Sequence, residues 1–233
     1  MSMLLSVQDI DTYYGQSQAV HGVSFEVGER EVVALLGRNG AGKSTTLRSI
    51  MGLTPPARGR VLFAGQDIAA LPPHHIARLG LTLVPETRDP FALLTVRENI
   101  MLGWRKGSAY PLDRLVALFP LLEELLDKKG SELSGGQQQM MVMARGLAMG
   151  PRLILLDEPS QGLAPIMVKA VSEALGALKG DDLTIVLVEQ NLQMAVELAD
   201  RIVVLENGSV ADRFDAGVAR ADPARLEQYL AVH

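Results

Sequence analysis

One eight-residue segment constrains the fold of this chain more than any other feature. It fits the pattern G-x-x-x-x-G-K-[ST] between a continuous apolar run and a helical pattern. Glycines in such a loop let successive backbone N–H groups point at phosphate oxygens, and the following helix adds its positive N-terminus. The lysine supplies a mobile charge to the β- and γ-phosphates, and the serine hydroxyl suits Mg²⁺. The alternative is a chance glycine-rich turn. We therefore predict that the phosphates of a nucleotide are bound by Gly37, Arg38, Asn39, Gly40, Ala41, Gly42, Lys43, Ser44 and the following Thr45.

An acidic pair supplies the expected second half of this site. Four apolar residues, 153–156, predict a buried strand, and Asp157, Glu158 and Pro159 follow it. At the carboxyl end of the strand, Asp157 is placed to hold Mg²⁺. Glu158 can orient and deprotonate an attacking water. Without the phosphate loop, a solvated acidic turn would be the better interpretation.

A third motif separates an ATPase of one class from kinases and GTPases. Ser134 stands three residues before Gln137, which is the spacing of a capping box at a helix N-terminus. Gly135 and Gly136 leave backbone N–H groups bare there, so the segment forms an anion site with no lysine of its own. Such a site is suited to close on a phosphate that another surface presents. An ordinary N-cap is the alternative.

The order of apolar patterns indicates one α/β domain with a helical insertion of roughly 60 residues. An Asn207-Gly208 pair between two apolar runs predicts a β-hairpin. Strands are predicted within 1–36 and at 61–63, 81–84, 153–156, 184–188 and 201–205. Helices are predicted at 43–51, 69–79, 95–102, 113–126, 134–149, 165–178, 193–198 and 223–230. Pro72-Pro73 interrupts the start of the helix at 69–79, and Pro120 punctuates the stretch at 113–126.

Composition excludes several classes of protein. The net charge of −5 argues against a nucleic-acid surface, and the lack of cysteine excludes disulfides and thiolate metal sites. No apolar run reaches about 18 residues, and the first ten residues lack a basic region followed by an apolar block. We therefore expect the chain to stay in the cytosol, with other chains supplying any membrane-spanning part.

The three motifs, in this order, resemble those of the ATP-binding subunit of an ABC transporter, and the resemblance covers residues 4–215. It implies a P-loop NTPase core with a mixed, mainly parallel sheet and flanking helices, an N-terminal antiparallel β part and an inserted α-helical subdomain. The single domain would have its core and β part at about 1–85 and 150–220, its insert at about 86–149 and a tail at about 221–233. The resemblance also implies a head-to-tail pair in which ATP lies between one phosphate loop and the partner's Ser-Gly-Gly-Gln. Tyr14 would stack on adenine, with Tyr13 or a half-buried strand tyrosine as the alternatives.

Four further stretches resemble the second ATPase subunit of bacterial branched-chain amino-acid importers. That resemblance implies a second ABC ATPase subunit or a second copy, two membrane permeases and, indirectly, a periplasmic solute-binding protein. The chain would then be cytoplasmic and peripheral on the inner face of the cell membrane. An ATPase of a urea or short-chain amide importer shares part of the pattern and is the alternative. The stretches are Tyr13–Ser17, Leu35–Gly40, Pro159–Pro165 and Leu187–Asn191.

Three positions depart from the common family pattern. Glu86 stands where a Mg²⁺-contacting glutamine is usual, and its carboxylate can still ligate the metal while repelling the γ-phosphate. Gln190 replaces a histidine that grips the γ-phosphate, and it keeps an N–H donor without a charge. Ala164 replaces an aspartate. Gln190 and Ala164 are common in the importer subgroup that this chain resembles. Glu86 favours altered coupling, and Glu86 with Gln190 keeps open a low-activity half of a heteromeric ATPase pair.

Two further alternatives concern partners. A soluble ABC ATPase that acts on nucleic acid or ribosomes usually has two fused cassettes or a long coiled-coil insert, and this acidic chain has neither pattern. Apolar residues between Pro90 and Leu102 either receive a short cytosolic helix of a permease or pack internally.

Overall fold

A computed structural model describes residues 2–181 and 183–221. These residues form ten strands, eight α-helices and two 3₁₀ helices. The strands are β1 (Met3–Tyr14), β2 (Ser17–Gly28), β3 (Val32–Leu36), β4 (Arg58–Phe63), β5 (Gln66–Asp67), β6 (Leu81–Val84), β7 (Leu153–Asp157), β8 (Thr184–Val188), β9 (Arg201–Glu206) and β10 (Ser209–Asp215). The helices are α1 (Lys43–Ile50), α2 (Pro73–Arg78), α3 (Val96–Gly103), α4 (Leu112–Leu118), α5 (Gly135–Ala148), α6 (Pro165–Gly180), α7 (Leu192–Leu198) and α8 (Ala216–Ala221). The 3₁₀ helices are Pro120–Leu125 and Gly130–Glu132.

The strands form two sheets. One is antiparallel with the order β2-β1-β4-β5, and the other has the order β10-β9-β3-β8-β7-β6. In the second sheet β9, β3, β8, β7 and β6 are parallel, and β10 returns antiparallel to β9 through the hairpin at Asn207-Gly208. Parallel strands end at the same edge of a sheet. The segments that follow β3, β7 and β8 therefore meet there.

The apolar runs found in the sequence are the centre of the second sheet. All five residues of β3, of β7 and of β8 are buried, as is usual for strands covered on both faces. One face of this sheet packs with α1 and the antiparallel sheet through residues such as Leu47, Leu155 and Phe63. The other face packs with the helices between β6 and β7 and with α6.

Residues between β6 and β7 form the helical insert, in which α3 and α5 cross closely. The backbone of Gly103 lies so near Arg145 that a Cβ at residue 103 would collide with the carbonyl oxygen of Arg145. Asn99, fully buried on α3, donates to the carbonyl oxygens of Leu94 and Thr95 and accepts from the N–H of Phe91. This side chain fixes the loop that leads into the insert.

Most predicted elements are confirmed, and two helices differ. The helix predicted at 69–79 begins only at Pro73, because residues 69–72 form a turn before it. The helix predicted at 113–126 ends at Leu118 and continues as a 3₁₀ helix, since Pro120 lacks the N–H that an α-helix needs. The predicted helix at 223–230 and the tail at 221–233 lie outside the described residues, apart from Ala221. Within residues 2–181 and 183–221, no helix is both long and apolar enough to span a bilayer.

Candidate nucleotide site

The phosphate loop joins the carboxyl end of β3 to the first turn of α1. Gly37, Gly40 and Gly42 have positive φ angles of 148°, 79° and 95°, in a region that residues with a Cβ rarely adopt. A Cβ at residue 42 would also lie 2.9 Å from the carbonyl oxygen of Ala19. The curled backbone therefore depends on glycine at these positions, as the motif predicts.

Lys43 spans this loop from inside. Its side chain is buried, and Nζ donates to the carbonyl oxygens of Gly37 at 2.9 Å and Arg38 at 3.1 Å. The same Nζ lies 3.5 Å from Oε1 of Glu158. The ammonium group is thus held at the mouth of the loop, between backbone carbonyls and a carboxylate.

Ser44 and Asp157 come together across the sheet edge. Ser44 Oγ donates to Asp157 Oδ1 at 2.8 Å. Burial raises the pKa of Asp157 to about 6; the hydrogen bond from Ser44 and the charge of Lys43 oppose this rise, and the charges of Glu158 and Glu86 add to it. A nearby cation would stabilise the charged form of this buried carboxylate. Mg²⁺ prefers oxygen ligands, so the Ser44 hydroxyl and the Asp157 carboxylate fit this ion.

Glu158 is buried at the turn that follows β7. Its φ angle is 49°, a conformation that non-glycine residues adopt at a cost, and its N–H donates to the carbonyl oxygen of Val188 at 2.9 Å. Gln190 Nε2 donates to Glu158 Oε2 at 2.5 Å. The structure therefore brings the two residues predicted to be catalytic into contact.

Glu189 has a place in this site that the sequence reasoning did not give it. It is 1% exposed and accepts hydrogen bonds from Ser160 N at 2.9 Å, Ser160 Oγ at 2.8 Å, Gln190 N at 3.1 Å and Asn191 N at 3.2 Å. Burial raises the pKa of Glu189, and these hydrogen bonds oppose the rise. The carboxylate ties the turn after β7 to the turn after β8. A signal was present in the sequence, because Glu189 follows β8 as Asp157 ends β7.

A cleft of about 440 Å³ opens beside these residues. The exposed Glu86 lines it, at the start of the segment that follows β6. The remaining lining residues are Ala19, Asn39, Gly40, Gly42, Lys43, Ser44, Thr45, Glu158 and Gln161. Ala41, by contrast, is buried beneath the loop.

Tyr14 ends β1 with its side chain 48% exposed. Partial burial raises the pKa of its hydroxyl, but hydrogen bonds with Thr45 and Thr54 and the charge of Arg48 outweigh burial and lower the pKa. The ring therefore lies near the start of α1, beside the phosphate loop. Tyr13 instead donates to Gln18 Oε1 at 2.9 Å on the neighbouring strand.

The motif at 134–137 begins α5 as a capping box. Ser134 Oγ accepts from Gln137 N at 3.4 Å, and Gln137 Oε1 accepts from Ser134 N at 2.9 Å. Ser134 is exposed, and Gly135 and Gly136 are partly exposed. Among the described residues, those that line the cleft of the phosphate loop do not include this group. The capped helix end is therefore separate from the cleft of its own chain, and its Ser134 is exposed.

Comparison with known proteins identifies the family. Residues 20–161 match the family model described as ABC transporter. The chain belongs to the ABC transporter family. The predicted fold class is confirmed, because solved ABC cassettes share the whole fold. One of them, a dimeric cassette solved in a post-hydrolysis state with ADP and Pi, superposes with a TM-score of 0.80 at 27% identity, covering 91% of this chain and 99% of that one.

Two relatives bear on transport. BraG, a high-affinity branched-chain amino acid transport ATP-binding protein of Pseudomonas aeruginosa, is 40% identical over 97% of this chain and 99% of its own length. LptB, a lipopolysaccharide export ATP-binding protein of Acidithiobacillus ferridurans, is 34% identical over 99% of this chain and 98% of its own length. ATP-binding subunits of this family are ATPases coupled to transport, and this ABC subunit is one of them.

Proposed function

We propose that this ABC subunit hydrolyses ATP to drive an importer of branched-chain or other hydrophobic amino acids. The observation that carries the ATPase assignment is the arrangement of Lys43, Ser44, Asp157 and Glu158 around one cleft. The amino-acid substrate is supported by 40% identity to BraG over almost the full length, against 34% to LptB. An importer of urea or short-chain amides is the alternative substrate class.

The phosphates of ATP would lie against the N–H groups of residues 37–45, with Lys43 at the β- and γ-phosphates. Ser44 and Asp157 would hold Mg²⁺, which supplies charge stabilisation at the transferred phosphoryl group. Glu86 lines the same cleft, where its carboxylate can ligate the metal and adds negative charge near the γ-phosphate.

Glu158 is the residue that accepts a proton from the attacking water. In the structure its two oxygens are engaged by Lys43 and Gln190, at 3.5 Å and 2.5 Å. When phosphate takes over Lys43, Oε1 becomes available to the water, and Gln190 keeps the carboxylate oriented. Gln190 is a neutral donor, so it orients Glu158 without placing a cation beside that carboxylate.

The capped N-terminus of α5 completes the site of a second subunit. Ser134, Gly135, Gly136 and Gln137 would face the γ-phosphate held by the partner's loop, in a head-to-tail pair. The dimeric cassette with ADP and Pi supports such a pair. Tyr14 would stack on adenine, since its ring lies beside the start of α1.

An exposed apolar face on the helical insert supports permease partners. Five large apolar side chains there are at least 40% exposed. Single exposed apolar residues are normal on a surface, but a group of them marks an interaction site. This docking face comprises Phe91, Leu93, Met101, Leu102 and Trp104. We propose that it receives a short helix of a permease in a complex with two permeases. The subunit then works on the inner face of the cell membrane, with a periplasmic solute-binding protein on the far side. Nucleic acid is not an expected partner.

The ATPase proposal is tested with Glu158→Gln. This variant should bind Mg²⁺ and ATP, hydrolyse ATP at least about 100-fold more slowly because the proton acceptor is lost, and accumulate as a stable pair on size-exclusion chromatography. Lys43→Met is the control, and it should neither bind ATP nor form the pair. A Glu158→Gln chain that stays monomeric with saturating ATP would contradict the proposal.

The substrate is tested in cells that lack this subunit. We expect uptake of labelled leucine to fall to background while uptake of labelled urea and acetamide is unchanged, and a plasmid-borne copy should restore leucine uptake. The Glu158→Gln copy should not restore it. Loss of urea uptake alone would move the assignment to the alternative importer.

A further inference from the structure

Arg88 has side-chain contacts that play no part in the proposed steps of ATP hydrolysis. It lies two residues after Glu86, between β6 and the docking face. Its guanidinium Nε donates to Gln139 Oε1 at 3.2 Å, and Nη2 donates to the carbonyl oxygen of Gln161. One side chain thus joins the segment after β6, the first turns of α5 and the turn that follows Glu158.

The surroundings of Arg88 are shaped around its guanidinium group. A Cβ at residue 135 would lie 2.7 Å from Nη1, and one at residue 162 would lie 3.6 Å from Nη2. Glycine at Gly135 therefore leaves the space that the guanidinium occupies. The backbone of Arg88 has a φ angle of 58°, so a left-handed conformation turns the chain at this residue.

Gln139 provides an independent observation. Its side chain is 1% exposed, and within the described part of the chain its Nε2 has no hydrogen-bond partner. Burying an amide with an unpaired donor costs about 1–3 kcal/mol. The contact that accounts for a glutamine at this place in α5 is the bond from Arg88 to Oε1.

Gln161 connects Arg88 to the chemistry. The turn that begins at Glu158 is closed by the bond from Gln161 N to Glu158 O at 3.1 Å. Gln161 also lines the cleft of the phosphate loop. A shift of the Gln161 carbonyl oxygen therefore shifts the backbone that sets the direction of the Glu158 carboxylate.

We infer that Arg88 is a positioning residue that holds the catalytic Glu158 turn in register with α5 and with the segment leading to the docking face. This inference rests on the proposed ATPase reaction. Arg88 does not touch the reacting atoms in this arrangement, so its loss should change how fast bound ATP is hydrolysed and leave ATP binding as it is.

The test uses the purified full chain with Mg²⁺ and ATP. Arg88→Met should lower kcat about tenfold and leave KM for ATP within about twofold. Arg88→Lys should behave like Arg88→Met, because one ammonium nitrogen cannot serve both Gln139 and Gln161. Arg97→Met is the matched control: Arg97 is exposed on α3 with Asp127 at 3.9 Å, and its variant should keep wild-type kcat.

Gln139→Met separates positioning from stability. It removes the acceptor and also the unpaired Nε2, so the variant should melt at or above the wild-type temperature while kcat still falls. In the nucleotide-free chain, amide hydrogen exchange at residues 160–163 should speed up in Arg88→Met and not in Arg97→Met. Wild-type kcat in Arg88→Met, recovery of kcat in Arg88→Lys, or a rise of KM at constant kcat would overturn the inference.

The same assay distinguishes failure of the proposed function from failure of the role of Arg88. If the wild-type chain does not hydrolyse ATP, or Lys43→Met hydrolyses it equally well, the proposed function fails. If the wild type is active, Lys43→Met is inactive and Arg88→Met is unaffected in both kcat and exchange, the role of Arg88 alone fails.

Discussion

Burial of the Asp157 carboxylate lowers the free energy of unfolding when the carboxylate is charged and no metal is bound. Its pKa is raised from 3.8 to about 6, mainly by burial. Between these values the folded state holds a proton that the unfolded state has lost, so stability falls as pH rises through about 6. With Mg²⁺ chelated, Asp157→Asn should therefore raise the free energy of unfolding at pH 7.5 by about 3 kcal/mol.

Denaturant unfolding at pH 7.5 and pH 4.5 measures this effect. The gain of Asp157→Asn over wild type should shrink toward zero at the lower pH, where the wild-type carboxyl is protonated as well. Ser44 Oγ can still donate to the amide oxygen of the variant, so wild type and variant both keep this hydrogen bond. A gain that is equal at both pH values would show that burial of the charge is not its cause.

Glu86 adds negative charge to the cleft in which the γ-phosphate would lie. Removing that charge in Glu86→Gln should raise kcat about two- to fivefold, corresponding to about 0.4–1 kcal/mol of lost repulsion. Steady-state ATP hydrolysis by the purified chain measures it, with Glu173→Gln on the exposed face of α6 as the control. A fall in kcat would instead make Glu86 a metal ligand.

At the scale of residues, the sequence predicts functional side chains that belong to a known motif or whose contacts are with residues nearby in the chain. The phosphate loop, the acidic pair and the capping box are of this kind. Glu189 and Arg88 were missed because their partners are distant: Ser160 lies 29 residues from Glu189, and Gln161 lies 73 residues from Arg88. Such contacts depend on which strands are neighbours, and periodicity does not contain that information.

Among the elements, the crossing of α3 and α5 depends on the absence of one methyl group. Gly103→Ala should lower the free energy of unfolding by about 1–3 kcal/mol, because its Cβ would strike the carbonyl oxygen of Arg145. Gly176→Ala is a matched control at an exposed position of α6, where nothing lies within 4 Å of the added carbon. That control should gain about 0.5–1 kcal/mol. Denaturant midpoints at equal m-values measure both, and an unchanged Gly103→Ala would mean that the helices can separate freely.

The elements that were well predicted are those bounded by local signals. Ser134 and Thr95 cap α5 and α3 with capping boxes, and the hairpin turns at Asn207-Gly208. The two helices that differ were predicted from spacing that runs across prolines, Pro72-Pro73 in one and Pro120 in the other. In 113–126 that spacing continues through Pro120, where the backbone changes to a 3₁₀ helix that keeps Leu122 and Leu125 buried.

At the scale of the whole molecule, Arg201 joins the two sheets. From β9 of the mainly parallel sheet, its guanidinium donates to both carboxylate oxygens of Glu31 and to the carbonyl oxygen of Glu26 on β2 at 2.6 Å. The bonds to Glu31 raise the pKa of Arg201. Arg201→Met should lower the free energy of unfolding by about 1–3 kcal/mol, since it leaves a largely buried carboxylate without its cation.

Thermal unfolding compares this variant with Lys169→Met, which breaks an exposed i,i+4 pair with Glu173 and should change stability by less than about 0.5 kcal/mol. Adding Glu31→Gln to Arg201→Met should recover part of the loss, because the stranded charge is then removed. Equal, small losses in Arg201→Met and Lys169→Met would show that the sheets are held together by apolar packing alone.

The arrangement of the sheets is where sequence reasoning reaches its limit. The apolar runs predict buried strands, and the family resemblance implies a mixed, mainly parallel sheet. Neither predicts the order β10-β9-β3-β8-β7-β6 that the structure shows. Helical spacing predicts an insert between β6 and β7. It does not predict that the insert places Arg88 against the turn after Glu158.

Trp104 gives the molecule an optical reporter at a useful place. It is the one tryptophan of the sequence, it follows α3 directly, and 40% of it is exposed beside Leu102. Indole emission shifts to shorter wavelength when water is removed from the ring. Excitation near 295 nm, where indole absorbs and tyrosine hardly does, should therefore follow the covering of this face in real time without any attached dye.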